Sequence, residues 1–258
     1  MDIATAGGLG LALVAVLASY LMEGGSLAAI FVPSAMLLVL VGTIGAATIT
    51  TSFRTVMNLP TFFKIAFFDD HKDPVELIDM IVSLAEKARR DGLLPLEAEA
   101  KKIKEPFLKK AVDLVVDGTD PGITRSILET EINFISSRHK EGATFFGKLG
   151  GFAPTLGIIG TVLGLIHTLG NTSDASKMAE SIAGAFIATL WGVGSANLLY
   201  LPIGDKLKVR NEEEQLYLEI ALEGVISIQA GEIPRVIRTK LMSYLAPKER
   251  TEAVKKAA

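Results

Sequence analysis

The chain has 258 residues, of which 49% are hydrophobic and 21% charged, and its mean hydropathy is +0.40. This average is high for a soluble protein and low for a pure transporter, so we expect a membrane part and a sizeable water-exposed part. The absence of cysteine and the wide spacing of the three histidines argue against disulfides and against a thiolate or histidine metal site. The net charge of −3 argues against nucleic acid as a partner.

Four apolar segments each reach the roughly 20 residues needed to cross about 30 Å of hydrocarbon. They lie at residues 3–22, 28–50, 151–169 and 182–203. The first follows Met1-Asp2 rather than a basic stretch, so we interpret it as a retained membrane helix and not as a signal peptide. The sequence therefore predicts an all-α membrane protein with four transmembrane helices.

The distribution of lysine and arginine predicts the orientation of these segments. The short connectors at 23–27 and 171–181 hold one basic residue, Lys177, whereas residues 51–150 hold fifteen and residues 204–258 hold ten. Basic residues favour the cytoplasmic side of a membrane. We therefore expect an inner-membrane protein whose termini are both cytoplasmic.

The predicted organisation is two membrane hairpins that alternate with helical cytoplasmic parts. The four parts are a first hairpin at 1–50, a cytoplasmic helical domain at 51–149, a second hairpin at 150–203 and a helical tail at 204–258.

Within the cytoplasmic parts, apolar residues at helical spacing predict a helix at 75–90, with Gly92 as its C-terminal cap and a Glu86–Arg90 ion pair on its surface. Prolines suit the first turns of the helices that follow. These helices are predicted at 96–104 and 106–116, and at 206–228 as a continuation of the fourth apolar segment. A further helix is predicted from 121 towards the third apolar segment, with Ile123 on its apolar side.

Pro154, Thr161 and Thr168 recur at intervals of seven and fall on nearly one face of the third segment. Thr189 lies on a stripe of small residues in the fourth. One interpretation is close helix packing, which small residues permit in membranes. The other is that Thr161 and Thr189 border an ion path. None of the four apolar cores contains an acidic or basic residue, so a conducting chain would need a partner to supply a carboxylate.

Several ordered blocks of the sequence resemble the flagellar motor stator subunits called MotA or PomA. They are EKARRDGLLPLEAE, GGFAPTLGIIGTVLGLI, GAFIATLWGVGSANLLYLPIGDKL and LEGVISIQAGEIPRVIRTKLMSYL. The resemblance runs from the first apolar segment to about Leu245.

This resemblance implies a ring of five subunits around a dimer of a peptidoglycan-binding partner, MotB or PomB, whose aspartate carries the ion. It also implies that Pro154 and Pro202 match two prolines that couple ion binding to movement. The residues matching the patch that pushes on the rotor protein FliG are Arg89, Arg90, Glu97 and Glu99. The alternatives are a helix-start role for Pro154 and a solvated helix face for the charged patch.

An ion-driven energiser of the ExbB or TolQ type is the alternative function. Members of that group usually have three membrane segments, so four segments and the IQAGEIPRVI block favour the stator. The sequence shows no catalytic constellation and no cofactor or metal motif, so we expect no enzyme activity. The transported ion is a proton or sodium, and threonines at 161 and 189 favour sodium slightly, although Ala188 departs from a paired-threonine pattern.

Overall fold

A computed structural model of the chain describes residues 2–68, 72–170 and 175–251. Helices make up most of these residues and none of them lies in a strand, which confirms the all-α prediction. The chain divides into two compact units. The apolar unit comprises Met1–Asp70 and His139–Arg210, and the polar unit comprises His71–Arg138 and Asn211–Ala258.

Residues 171–174 of the predicted connector and 252–258 of the predicted tail lie outside the described part. The helices are, in chain order, α1 (Ile3–Met22), α2 (Leu27–Ile30), α3 (Pro33–Ile49), α4 (Phe53–Met57), α5 (Leu59–Phe67), α6 (Pro74–Asp91), α7 (Leu96–Ala100), α8 (Pro106–Val116), α9 (Pro121–Gly170), α10 (Ala175–Ser195), α11 (Leu201–Gln229) and α12 (Pro234–Met242).

Three described helices are long and apolar enough to cross a membrane, namely Ile3–Met22, Pro121–Gly170 and Met178–Gln229. The last of these joins α10 to α11 through a π-helical turn at Ala196–Tyr200. The remaining predicted segment, the second in chain order, corresponds to α3, a shorter apolar helix. As the sequence predicted, the helix that starts at Pro121 continues through the third apolar segment without a break.

The second apolar segment is not the continuous helix at 28–50 that its composition predicted. α2 ends at Ile30, and α3 begins only at Pro33. A proline ring clashes with helical backbone in the residue before it, and Val32 is accordingly extended, with φ −100° and ψ 106°. The indole of Trp191 donates a 2.8 Å hydrogen bond to the carbonyl of Ile30, so an acceptor at this break has a partner.

The core of the apolar unit joins α3, α5, α9 and the π turn. Its aromatic centre is Phe145 and Phe146 of α9, and Phe63 of α5 meets Phe146 edge-on with ring centroids 5.3 Å apart. Edge-to-face contacts of this kind are a favoured arrangement of buried aromatic rings. This cluster fixes the start of the third membrane segment against the short helices that follow α3.

The polar unit buries the faces that its amphipathic pattern predicted. α6 buries Leu77, Ile78, Ile81, Leu84 and Ala85, and ends at Gly92 with φ 85°. α8 has the predicted bounds.

Two details of this unit differ from the prediction. The helix expected at 96–104 ends at Ala100, because Pro106 holds Glu105 extended and the chain leaves the helix before it. Ile123, expected on the buried side of α9, is 55% exposed, whereas Leu128 and Ile132, also expected there, are buried.

Candidate functional site

Helices α9 and α10 approach so closely that their backbones touch. A Cβ atom on Gly157 would lie 2.9 Å from the carbonyl oxygen of Ala188, and one on Gly192 would lie 3.0 Å from the Cα of Gly157. Backbone atoms cannot move aside as a flexible side chain can, so both positions require glycine. The packing interpretation of the small residues is thus confirmed at this crossing.

Thr161 and Thr189 meet at the same crossing, and their hydroxyl groups are hydrogen-bonded to each other. Thr161 Oγ1 also lies 3.0 Å from the carbonyl oxygen of Ala185 and 3.1 Å from that of Gly157. The two hydroxyls have two protons to share among these contacts, so one donates to the other and the second donates to a carbonyl.

The arrangement gathers two hydroxyl and two carbonyl oxygens in one place between the helices. Lone pairs that are not used within the group can accept a hydrogen bond or contact a cation. No set of three or more His, Asp or Glu side chains in the described part is placed to hold a metal ion. The site can therefore offer oxygen atoms to a passing ion but contains no carboxylate of its own.

Pro154 lies inside α9, not at its start, since α9 begins at Pro121. A proline has no amide proton, so the carbonyl of Gly150 loses its usual helical donor. Pro202 occupies the first turn of α11 and follows the π turn at Ala196–Tyr200 directly. π turns accommodate a break in regular helical hydrogen bonding. Each of the two helices thus has a weakened point near one end of its apolar stretch.

The predicted charged patch spans the end of α6 and the start of α7. Arg89 and Arg90 are both exposed in the last turn of α6. Arg90 Nε donates to Asp91 at 3.1 Å and does not form the predicted ion pair with Glu86, because the Asp91 carboxylate lies beside it at the helix end. This hydrogen bond raises the pKa of Arg90 and lowers that of Asp91. Arg89 makes no hydrogen bond or ion pair within residues 2–68, 72–170 and 175–251.

The two acidic residues of the patch differ in their availability. Glu99 accepts from Lys87 of α6 at 2.5 Å and from Lys102 at 3.1 Å, and only 25% of its side chain is exposed. Glu97 pairs with Lys101 at 2.8 Å and its side chain is 62% exposed. The hydrogen bonds from these lysines lower the pKa of both carboxyl groups. Glu97 can reach a partner, whereas Glu99 mainly holds α7 against α6.

Sequence reasoning missed the role of Lys87, which lies twelve residues before Glu99. It also missed a cluster at the chain start. There the Asp2 carboxylate pairs with Lys206 and, at 2.9 Å, with Arg210, and the hydrogen bond from Lys206 holds the pKa of Asp2 well below its usual range. No local pattern signals this contact, because its partners are about 200 residues apart.

Comparison with known proteins places this geometry in context. Residues 99–220 match the model of the MotA/TolQ/ExbB proton channel family, and residues 6–92 match that of the motility protein A N-terminal region. The chain is 36% identical to Motility protein A of Bacillus subtilis over 97% of this chain and 93% of that protein.

Two solved structures are similar along almost the whole chain. A chain of the C. jejuni MotAB structure superposes with a TM-score of 0.92 at 30% identity, covering 96% of this chain and 97% of the other. A chain of the flagellar MotAB stator complex from Bacillus subtilis gives a TM-score of 0.89 at 36% identity, covering 95% and 97%.

Proposed function

The chain belongs to the motility protein A family, and we propose that it acts as the stator subunit of a bacterial flagellar motor, where ion flow is converted into torque. The observation that carries this conclusion is the likeness, over almost the full length, to a chain of a flagellar stator complex. The TolQ and ExbB members of the larger family are the second candidate. The match of residues 6–92 to the motility protein A N-terminal model favours the stator.

We propose that the chain assembles as a ring of five around a dimer of a MotB- or PomB-type peptidoglycan-binding partner. The apolar segments contain no carboxylate, so the acid that carries the ion comes from that partner. Within the described part of the chain no residue of α1 is fully buried, which leaves much of that apolar helix for contacts outside the chain. Both termini lie in the cytoplasm in this arrangement, as the distribution of basic residues favours.

The oxygen cluster at Thr161 and Thr189 then borders the ion path, and Pro154 and Pro202 mark the points at which the helices yield as the ion binds. Four oxygens in one place can replace part of the hydration shell of sodium, so we propose sodium as the coupling ion over the proton. Swimming speed measured against sodium concentration at a fixed proton gradient tests this choice. A speed that does not depend on sodium would assign the motor to protons.

The charged patch of α6 and α7 faces the rotor protein FliG in this proposal. Exposed ion pairs contribute only about 0–1 kcal/mol each, and contacts of that strength can form and break during stepping. Arg90 is paired with its neighbour Asp91, and Glu99 is held by Lys87 and Lys102. Arg89 and Glu97 are therefore the exposed members of the patch that can most readily exchange partners.

The function is tested by deleting the gene and purifying the tagged chain from its native membrane. If the chain is a stator subunit, deleting its gene leaves cells with intact but motionless flagella. The tagged chain then co-purifies with a single-span, peptidoglycan-binding protein. Cells that swim normally but lose energised uptake across the outer membrane would instead identify an ExbB-type energiser.

A further inference from the structure

The two short helices that follow α3 carry an exposed surface that is both apolar and basic. We call it the α4–α5 surface. It consists of Phe53, Arg54, Met57, Lys64, Ile65 and Phe68. Phe53 and Met57 are one helical turn apart in α4 and are 71% and 66% exposed. These apolar side chains are therefore not covered by the chain itself.

α5 has two distinct faces. Phe62, Phe63, Ala66 and Phe67 recur at helical spacing and pack into the core of the apolar unit. The opposite face carries Lys64 and Ile65, both exposed, and is continued by Phe68 after the end of the helix. Because the inward face packs into the core, the helix is fixed in place. The outward apolar residues are therefore exposed in a well-packed helix.

The charge on this surface has one sign. Arg54 and Lys64 are exposed, and within the described part of the chain neither forms a hydrogen bond or an ion pair. The segment from Thr51 to Phe68 contains no acidic residue at all. The segment also begins directly after α3, an apolar helix of the membrane part. Unpaired cations beside exposed aromatic residues, next to a membrane segment, are typical of helices that lie in the lipid interface.

We propose that the α4–α5 surface binds the anionic phospholipid headgroups of the adjoining membrane leaflet, with Phe53, Met57 and Phe68 inserted among the acyl chains near the headgroups. The phosphates complement the two cations, which is the contact that the chain itself does not provide. A second copy of the chain is the other conceivable occupant. Contact between the same segments of two copies would bring like charges together, and a head-to-tail ring neighbour would place a different surface there and keep lipid away. This binding helps to hold the start of the third apolar segment, which lies within α9, at a fixed depth, because Phe63 of α5 packs on Phe146.

The first test measures lipid preference. The full-length chain, purified with its membrane partner, is placed in phosphatidylcholine nanodiscs that contain trace spin-labelled phosphatidylglycerol or spin-labelled phosphatidylcholine. We expect phosphatidylglycerol to be preferred at low ionic strength, and the preference to fall by about fivefold for each cation removed in Arg54→Gln and Lys64→Gln. The matched control is Lys104→Gln with Lys109→Gln, two exposed lysines of the polar unit without ion pairs in its described residues. The proposal is overturned if the Arg54→Gln, Lys64→Gln protein keeps the full preference.

The second test measures depth and does not depend on the charge variants. The chain has no cysteine, so Met57→Cys gives a single site for a fluorophore. Lipids with a quencher near the headgroup should quench this label more strongly than lipids with the quencher at the chain end. A label that no lipid quencher reaches would overturn the proposal and assign the surface to contact with a neighbouring subunit.

Discussion

At the residue scale, the Thr161–Thr189 pair is where helix packing and the proposed ion path use the same atoms. The hydroxyls hold α9 to α10 through each other and through the carbonyl of Ala185. Hydrogen bonds between membrane helices contribute about 0.6 kcal/mol on average and rarely more than about 2 kcal/mol. Losing one therefore weakens the helix pair only modestly, and its effect on ion flow can be measured in an assembled protein.

Replacing Thr161 with valine keeps the shape of the side chain and removes its hydroxyl oxygen. We expect slower ion flux into vesicles that carry the chain with its partner, or a changed preference between sodium and protons. Thr168→Val is the control, because in the described part of the chain Thr168 bonds only the Gly164 carbonyl of its own helix, at 2.8 Å. Unchanged flux and selectivity in Thr161→Val would leave Thr161 with a packing role alone.

Arg89 is the exposed arginine of the patch that has no partner in the described residues. Reversing its charge in Arg89→Glu should impair swimming without affecting membrane insertion, and an opposite reversal on the rotor protein should restore part of the movement. Lys109→Glu applies the same change to an exposed lysine of α8. Normal swimming by Arg89→Glu would mean that the rotor does not use this position.

At the element scale, helices with one apolar face and a proline at the start could be predicted from sequence. α6, α8 and the long α9 are found near their predicted bounds because local pattern determines them. The break before Pro33 was missed because hydropathy averages over a proline. The residues of the candidate site could be predicted from motifs. The Thr161–Thr189 hydrogen bond and the Lys87–Glu99 ion pair could not, because they depend on how distant segments pack.

Pro154 interrupts the hydrogen bonding of α9 beside the site, and Pro154→Ala restores a donor to the carbonyl of Gly150. We expect normal expression and assembly but little or no rotation, measured on tethered cells. Pro121→Ala removes the proline at the first position of the same helix, where a missing donor has no cost, and should swim normally. Full torque from the Pro154→Ala protein would show that the stiffer helix still converts ion flow into movement.

Glu99 holds α7 against α6 through Lys87, so Glu99→Gln should speed amide hydrogen exchange in residues 93–104. The folded-state pKa of Glu99 is lowered by its lysines, so its contribution is present above the ordinary glutamate value of about 4.3 and disappears as pH falls through the lowered pKa. The difference between Glu99→Gln and the unmodified chain should therefore vanish in acid. Glu97→Gln, which among the described residues loses only a contact to Lys101, is the control and should leave exchange nearly unchanged. Equal exchange in the two variants at neutral pH would exclude this role of Glu99.

At the scale of the whole molecule, the decisive property is that the apolar segments of α9 and α10 offer oxygen atoms but contain no acidic residue. A ring subunit with its own carboxylate would bind the ion at every copy around the ring, in competition with the acid of the partner. In the proposed assembly, leaving the carboxylate to the partner confines the ion to the element that the ring surrounds. The apolar segments contain no Asp, Glu, Lys or Arg, in agreement with this division.

It follows that the chain alone should conduct neither protons nor sodium. We expect no flux above that of empty vesicles when the chain is reconstituted by itself, and a clear flux when it is reconstituted with its partner. A partner whose membrane aspartate is changed to asparagine should abolish the flux while the complex still assembles, which separates a missing acid from a missing ring. Conduction by the lone chain would show that no carboxylate from a partner is needed. Oxygens such as those of Thr161 and Thr189 would then suffice to carry the ion across the membrane.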